Sequence, residues 1–227
     1  MAEKPILFSN DMVRAIIDGA KTQTRRVIKP QSVDMWEKRT DTGVWADILD
    51  EVGEWKQVPC PYGKPGDRLW VREAWRVGEW NEEDCLRIEY RAGLHCLSDW
   101  LRPPENQFER LWVESTDDAI KAGLEPDENG MYYWSEGQAP TRWRPSIFMP
   151  RWASRIELEV KHVRMERVQS TIYHDVEAEG VAYVEGITPE YWVKPWADLW
   201  NSINAKRGYS FDSNPMVWVI EFEMLDR

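Results

Sequence analysis

The chain has 227 residues, 42% of them hydrophobic, and a formal net charge of −11. No run of residues approaches the ~20 consecutive apolar residues that span a bilayer. The N-terminus, MAEKPILFSND, also lacks the long apolar core of a signal peptide. These features exclude a membrane-spanning class and predict a cytoplasmic protein without a membrane partner.

The cysteine and histidine content argues against a metal or disulfide framework. The three cysteines form no CxxC pair, and the three histidines are scattered along the chain. The residues concerned are Cys60, Cys85, Cys96, His95, His162 and His174. We therefore predict no metal and no cofactor.

Positive charge is concentrated in two segments of this acidic chain. Residues 4 to 30 and residues 142 to 167 each carry a net charge of +4, so the remaining residues sum to −19. A surface with that charge repels phosphate, which disfavours a uniform coat on DNA or RNA. A focused basic pocket stays compatible with the sequence.

The N-terminal residues predict a strand, a helix and an extended segment, in that order. PILFS is predicted to be a short strand, and NDMVRAIIDGA a helix with Met12, Ile16 and Ala20 at helical spacing. KTQTRRVI is predicted to be extended, up to Pro30. The stretch GAKTQTRR places three cations and two threonines beside the helix C-terminus, where the carbonyl dipole favours positive charge. This cluster either neutralises the helix end or holds an anionic or polar ligand.

Two insertions are predicted, at about 31–58 and about 78–141. The first is polar and carries one strand, EWKQVP; the second carries a strand, LRIEYRA, within acidic, aromatic connecting segments. Between them RLWVREAW is predicted to be a strand whose inner face includes Leu69, Val71, Glu73 and Trp75. Glu73 on that face indicates either an ion pair with a nearby arginine or a functional role.

The C-terminal part completes an α+β pattern. RWRPSIFMPRW is predicted to be a loop and IELEVKHVRMERV a half-buried strand. STIYHDVEAEGV is predicted to be a helix that stops at Gly180, and the helix TPEYWVKPWADLWNSINAK has Pro189 early and Pro195 as a kink or break. MVWVIEFEML is predicted to be a central strand. The order of elements favours a mostly antiparallel, curved or barrel-like sheet.

Five motifs in this order resemble the ASCH domain of the PUA-like superfamily. They are Gly19, Lys21, Thr22, Thr24 and Arg25; Gly66, Asp67, Leu69 and Val71; the long strand; Glu177, Glu179 and Gly180; and residues Trp218 to Phe222. The longer segments KTQTRRVIKPQ, PYGKPGDRLWVREAW and RWRPSIFMPRWASRI resemble the larger variety common in bacteriophages and prophages. The resemblance implies one domain over residues 1–227, with a small curved β-barrel, flanking helices and the two insertions.

The resemblance also implies a cleft for RNA or modified bases. Some small members of the family are amidohydrolases that remove the acyl group from N4-acetylcytidine. Their proposed catalytic lysine, threonine and glutamate fall on Lys21, Thr24 and Glu179 of this chain. Glu177 is the competing glutamate, because residues two apart on a helix cannot both face one cleft.

Further residues are predicted to bind the substrate. They are Thr22, Arg25, Arg26, Glu73, Trp75, Arg144, Ser146 and Arg151. Arginine forks suit phosphates or base edges, and a few of the 15 tryptophans can stack on a planar base while most serve the core. The alternatives are ordinary strand threonines, an ion pair for Glu73, and packing beneath the insertions for the 144–151 loop.

Three functional hypotheses follow. The first is a cofactor-free amidohydrolase acting on N4-acylated cytosine nucleosides or a related modified base. The second is a non-catalytic ASCH module that binds RNA or a modified nucleotide. The third is an accessory protein that binds a host protein through the acidic insertions. The sequence leaves the natural substrate and the oligomeric state open.

Overall fold

A computed structural model describes residues 1–41, 43–93, 98–135, 137–181 and 191–225. By packing, the chain divides into two compact units. The first contains Met1–Lys4, Ala15–Leu69 and Glu157–Arg227; the second contains Pro5–Arg14 and Trp70–Ile156. This division concerns packing, and the single domain with two insertions stays a prediction.

The described residues form ten strands and four helices. In chain order they are β1 (Glu3–Leu7), α1 (Asn10–Ile17), β2 (Gln23–Val27), β3 (Met35–Thr40), β4 (Gly43–Leu49), β5 (Trp55–Pro59), β6 (Arg68–Arg72), β7 (Trp75–Trp80), β8 (Leu86–Tyr90), α2 (Glu105–Lys121), β9 (Glu157–Arg167), α3 (Tyr173–Ala178), α4 (Val193–Asn204) and β10 (Met216–Met224). The sheets have five, three and two strands, with the orders β1-β6-β9-β10-β2, β3-β4-β5 and β7-β8. The α+β class is therefore confirmed, and within the described residues no sheet closes into a barrel.

β10 is an interior strand of the largest sheet, as predicted. It pairs antiparallel with β9 on one side and with β2 on the other. Val217, Trp218, Val219 and Ile220 are all buried, so both faces of the strand are covered. On one face, Val217 and Val219 pack with Val176 of α3 and with the tryptophans of α4.

α4 is the observed part of the predicted helix TPEYWVKPWADLWNSINAK, and it turns two tryptophans toward the core. Trp196 and Trp200 are buried, and Pro195 lies in the first turn of the helix. A proline there removes no intrahelical hydrogen bond, so the predicted kink or break is absent from α4. Pro189, at the predicted start of this helix, lies outside the described residues.

The first predicted insertion contains three strands where the sequence predicts one. β4 has the alternation of a half-buried strand, with Val44, Ala46 and Ile48 inside. β3 and β5 flank it and expose nearly all of their side chains. β3 has one buried position and leaves no apolar period in the sequence, whereas β4 was missed although its alternation of Val44, Ala46 and Ile48 was readable.

The second predicted insertion contains the predicted strand and an unpredicted helix. β8 matches LRIEYRA and pairs with β7. α2 occupies 17 residues that the sequence analysis assigned to connecting segments. Its buried face is Phe108, Leu111, Ser115 and Ala119, so half of the helical stripe consists of small residues with little hydrophobic signal.

RLWVREAW is not one strand, since it contains the whole of β6 and the first residue of β7. β6 ends at Arg72 and β7 begins at Trp75, although the burial of Leu69, Val71, Glu73 and Trp75 follows the predicted alternation.

No helix within the described ranges is both long and apolar enough to cross a bilayer. The described residues also hold no group of three or more His, Cys, Asp or Glu side chains suited to a metal ion. His95 and Cys96 lie outside the described residues, and the absence of a metal stays a prediction.

Two tryptophans of similar chemistry and opposite burial test the position of β10. Trp218 is 1% exposed in β10, whereas Trp36 in β3 is 65% exposed. We expect Trp218→Ala to lower the free energy of unfolding by about 3–5 kcal/mol, because it leaves a cavity where the buried ring was packed. Trp36→Ala should change it by less than about 0.5 kcal/mol. Urea unfolding followed by circular dichroism measures both, and equal losses would contradict the central position of β10.

Candidate functional site

Lys21 and Glu179 form a buried ion pair just before the start of β2. Lys21 lies just after α1, where its backbone N–H donates to the carbonyl of Ala15. Its Nζ lies 2.6 Å from Oε2 of Glu179 and 3.0 Å from the Glu179 carbonyl oxygen. The Lys21 side chain has no exposed surface, and 4% of the Glu179 side chain is exposed. The glutamate of this pair is therefore Glu179, whereas Glu177 contacts His174 at the surface.

The close approach of these two segments depends on Gly180. Its φ is +75°, in the left-handed region that favours glycine. A Cβ at this position would lie 2.9 Å from Cβ of Ala15 and 3.0 Å from Cβ of Lys21. The glycine of the acidic helix motif thus serves to bring Glu179 against Lys21.

Arg25 holds Glu179 from the opposite side. Its Nη1 lies 3.1 Å from Oε1 of Glu179, which leaves Oε2 to Lys21. Its Nε and Nη2 donate to Glu166 at 2.8 and 2.6 Å, and Nη2 lies 3.1 Å from Asp175. The guanidinium also lies 5.6 Å from the centroid of the Trp196 ring.

These contacts change the role predicted for Arg25. Its side chain has no exposed surface, and three carboxylates surround the guanidinium. An arginine held in this way has no exposed donor for a substrate. In the described geometry Arg25 orients Glu179, and its contact with a substrate stays a prediction.

A second arginine fixes the carboxylates around Arg25. Arg164 lies 3.0 Å from Oδ1 of Asp175 and 3.3 Å from Oε2 of Glu166, and it also contacts Glu221. Gln23 donates to Oδ1 of Asp175 at 3.1 Å. The result is one network of side chains from β2, β9, β10 and α3, and its ionic members compensate one another.

Burial has a large effect on the acid–base properties of this cluster. It lowers the pKa of Lys21 below the ordinary value of 10.5, although Glu179 acts in the opposite direction and the charges of Arg26 and Arg25 add to the lowering. Burial also lowers the pKa of Arg26, against the effects of Tyr62 and Glu179. A lysine with a lowered pKa can act as a base near neutral pH.

The two threonines of the motif occupy different environments. Thr24 is buried and lies opposite Ile220 of β10. Side chains alternate along β2, so Thr24 and Arg26 lie on the face opposite to Gln23 and Arg25. Thr22 is exposed, and its backbone N–H donates to the carbonyl of Ala178. The structure thus gathers Lys21, Arg25 and Glu179, and it separates Thr24 from Arg25.

The remaining predicted residues belong to the second unit and make internal contacts there. Glu73 is held by Arg155 at 2.9 and 3.0 Å, which is the ion pair that the sequence left as an alternative. Burial raises the pKa of the Glu73 carboxyl, and Arg155 opposes this effect. Arg144 pairs with Glu114 at 2.9 Å and lies 5.2 Å from the ring centroid of the buried Trp75.

Ser146 and Arg151 each begin a short 3-10 turn, and both are half-buried. Packing within the unit therefore accounts for Glu73, Trp75 and Arg144. Whether the 144–151 loop and Lys21 share a cleft stays a prediction.

Sequence reasoning missed Glu166 and Asp175. Asp175 lies in α3, four residues before Glu179, and this clustering of acidic residues was an available signal. Glu166 lies two residues after Arg164 on β9, so both side chains are on one face of that strand. A carboxylate beside an arginine on a half-buried strand is the signal that could have identified it.

No family model, no curated protein and no solved structure matches the chain. The ASCH resemblance therefore rests on the motifs alone.

The acidic members of the cluster predict a pH-dependent stability. Burial alone would raise the pKa of Asp175, but the Ile172 N–H and the charge of Arg25 outweigh it and lower the pKa below 3.8. The carboxylate therefore stabilises the fold above pH 3.8, and this contribution is lost as pH falls through the folded-state pKa. We expect Asp175→Asn to destabilise the protein at pH 7 and to cost progressively less below pH 4.

Urea unfolding over a pH series measures this difference. The matched control is Asp198→Asn, since Asp198 pairs with Lys194 at the surface of α4. That control should change the unfolding free energy little at any pH. A loss for Asp175→Asn that is the same at pH 7 and pH 3.5 would contradict the argument.

Proposed function

We propose that the chain is a cofactor-free amidohydrolase of the ASCH, PUA-like type. Its substrate would be an N4-acylated cytosine nucleoside or a related modified base. The observation that carries the proposal is the 2.6 Å contact between Lys21 and Glu179, two residues that the motifs identify as catalytic. The lowered pKa of Lys21 fits the same role, because it increases the fraction of the lysine present as the neutral amine that can accept a proton.

Thr24, Lys21 and Glu179 each have a separate role in the proposed amide hydrolysis. An oxygen nucleophile, either the Thr24 hydroxyl or a water that Thr24 positions, attacks the acyl carbon of the N4 amide and gives its proton to the neutral amine of Lys21. The C–N bond then breaks. The proton passes from Lys21 to the departing N4 nitrogen, and Glu179 assists this transfer. Attack by water releases the carboxylic acid directly, whereas attack by Thr24 gives an acyl-enzyme that a water must hydrolyse.

Two arginines have separate duties in this scheme. Arg26 lies on the same face of β2 as Thr24 and supplies the positive charge that a developing oxyanion needs. Arg25 keeps one oxygen of Glu179 occupied, so the other oxygen is committed to Lys21. Arg25 therefore positions Glu179 and does not contact the substrate.

Turnover requires the buried site around Lys21 to open. The Lys21 side chain has no exposed surface in the described geometry, so an acyl group must open the site to reach it. A closed site is suited to this chemistry once the substrate is inside, because exclusion of water strengthens the electrostatic interactions there.

Charge favours a nucleoside over a nucleic acid as the substrate. The protein carries a net charge of −11, and a neutral nucleoside approaches it without repulsion. Four of the arginines that make residues 142 to 167 basic pair with carboxylates: Arg142 with Asp118, Arg144 with Glu114, Arg155 with Glu73, and Arg164 with Asp175. The alternative, an RNA- or nucleotide-binding module without turnover, depends on exposed cations for its phosphate contacts.

Conversion of N4-acetylcytidine to cytidine, followed by chromatography, tests the proposal. We expect turnover by the wild type, and a loss of at least about 100-fold for Lys21→Ala and for the isosteric Glu179→Gln. Glu177→Gln is the matched control, because Glu177 lies in the same segment and pairs with the exposed His174. Its activity should equal that of the wild type.

Thermal unfolding of each variant separates loss of chemistry from loss of fold. Folded wild-type protein without turnover would overturn the amidohydrolase proposal and leave the binding module. That module would then have to bind a short RNA with an affinity that falls steeply as salt rises.

The pH profile of turnover provides a second test. If the neutral amine of Lys21 is the base, kcat/KM must rise with pH and reach a plateau with a midpoint below 10.5. Glu177→Gln should give the same profile as the wild type. A rate that falls between about pH 6 and 9 would assign Lys21 another role.

A further inference from the structure

The second unit has a cavity lined by carboxylates between α2 and the chain that follows β7. Its volume is about 350 Å³, and its lining includes Glu82, Asp84, Glu105, Glu109 and the exposed ring of Trp112. Within the described part of the chain, Glu82, Glu105 and Glu109 make no ion pair. The cavity therefore presents uncompensated negative charge beside an apolar wall.

An adjoining cavity of about 370 Å³ has aromatic walls. Five rings line it, from Trp80, Trp100, Tyr132, Tyr133 and Trp134. The two cavities share a wall that includes Trp80 and Glu82. None of the residues that line either cavity is a lysine, an arginine or a histidine. We call the two cavities together the acidic-aromatic surface.

The protein already binds one of its own cations against this surface. The guanidinium of Arg87 lies 5.6 Å from the ring centroid of Trp100, and its Nη1 lies 3.1 Å from Oε2 of Glu79. Aromatic faces and carboxylates together attract ammonium and guanidinium groups. The internal contact shows which ligand chemistry these side chains accept.

We propose that the acidic-aromatic surface binds a segment of a partner protein that carries two neighbouring lysine or arginine side chains. In an extended segment, residues two apart lie about 7 Å from each other on one face. Such side chains can enter the two adjoining cavities together, with their stems on the aromatic walls and their charges beside the glutamates. The proposal does not depend on the amidohydrolase activity.

Charge complementarity determines the class of partner. Carboxylates that line both cavities repel the phosphates of a nucleic acid. An apolar helix would bury Glu82, Glu105 and Glu109 without counterions, which is costly. A basic segment satisfies the charge and the aromatic walls together.

Fluorescence anisotropy with a labelled alanine peptide that contains Lys-Ala-Lys tests the proposal. We expect saturable binding that weakens as salt rises, and loss of binding when both lysines are replaced by glutamine. The double variant Glu82→Gln/Glu109→Gln and the variant Trp100→Ala should each bind about tenfold more weakly. Glu54→Gln and Trp55→Ala are matched controls, because both residues are exposed on the three-stranded sheet. These controls should leave the affinity unchanged.

Four outcomes would overturn the proposal. They are no binding of the lysine peptide, equal binding of the glutamine peptide, unchanged affinity in the cavity variants, and binding of spermidine at least as tight as that of the peptide. The last outcome would identify a polyamine site in place of a protein-docking surface.

Discussion

The first unit is organised around two cationic side chains that have no exposed surface. Lys21 and Arg25 can be buried only if carboxylates lie against them, because an uncompensated charge inside a protein is expensive. Glu179, Asp175 and Glu166 supply that compensation from α3, the residues just after it, and β9. The positions of these elements around β2 are therefore fixed by charge as well as by apolar packing.

The network also explains why an acidic protein contains two basic segments. Much of their positive charge is neutralised internally, since Arg25, Arg144, Arg155 and Arg164 each contact at least one carboxylate. The number of cations in these two segments suggests a basic surface. In the folded protein these arginines instead form ion pairs that connect different segments of the chain. The formal net charge of the chain is −11, and the acidic-aromatic surface carries part of its negative charge.

Sequence patterns predicted several elements with clear periodicity and missed others that lack it. α1, β9 and β10 have apolar residues at the spacing of their structure, so each was predicted close to its observed range. β3 exposes most of its side chains, and α2 buries two small residues, so neither left a readable period. The motif correctly pairs Lys21 with Glu179, but the role of Arg25 depends on Glu166, which lies 141 residues away in the chain.

The position of β2 has a consequence for self-association. β2 is the last strand of the five-stranded sheet, and edge strands readily recruit strands from other molecules. Just before this strand the backbone N–H of Thr22 donates to the carbonyl of Ala178 in α3, and Lys21 forms a bridge with Glu179. An incoming strand would have to displace these backbone contacts to extend the pairing past the start of β2. The segment that brings Glu179 to Lys21 thereby also covers part of the sheet edge.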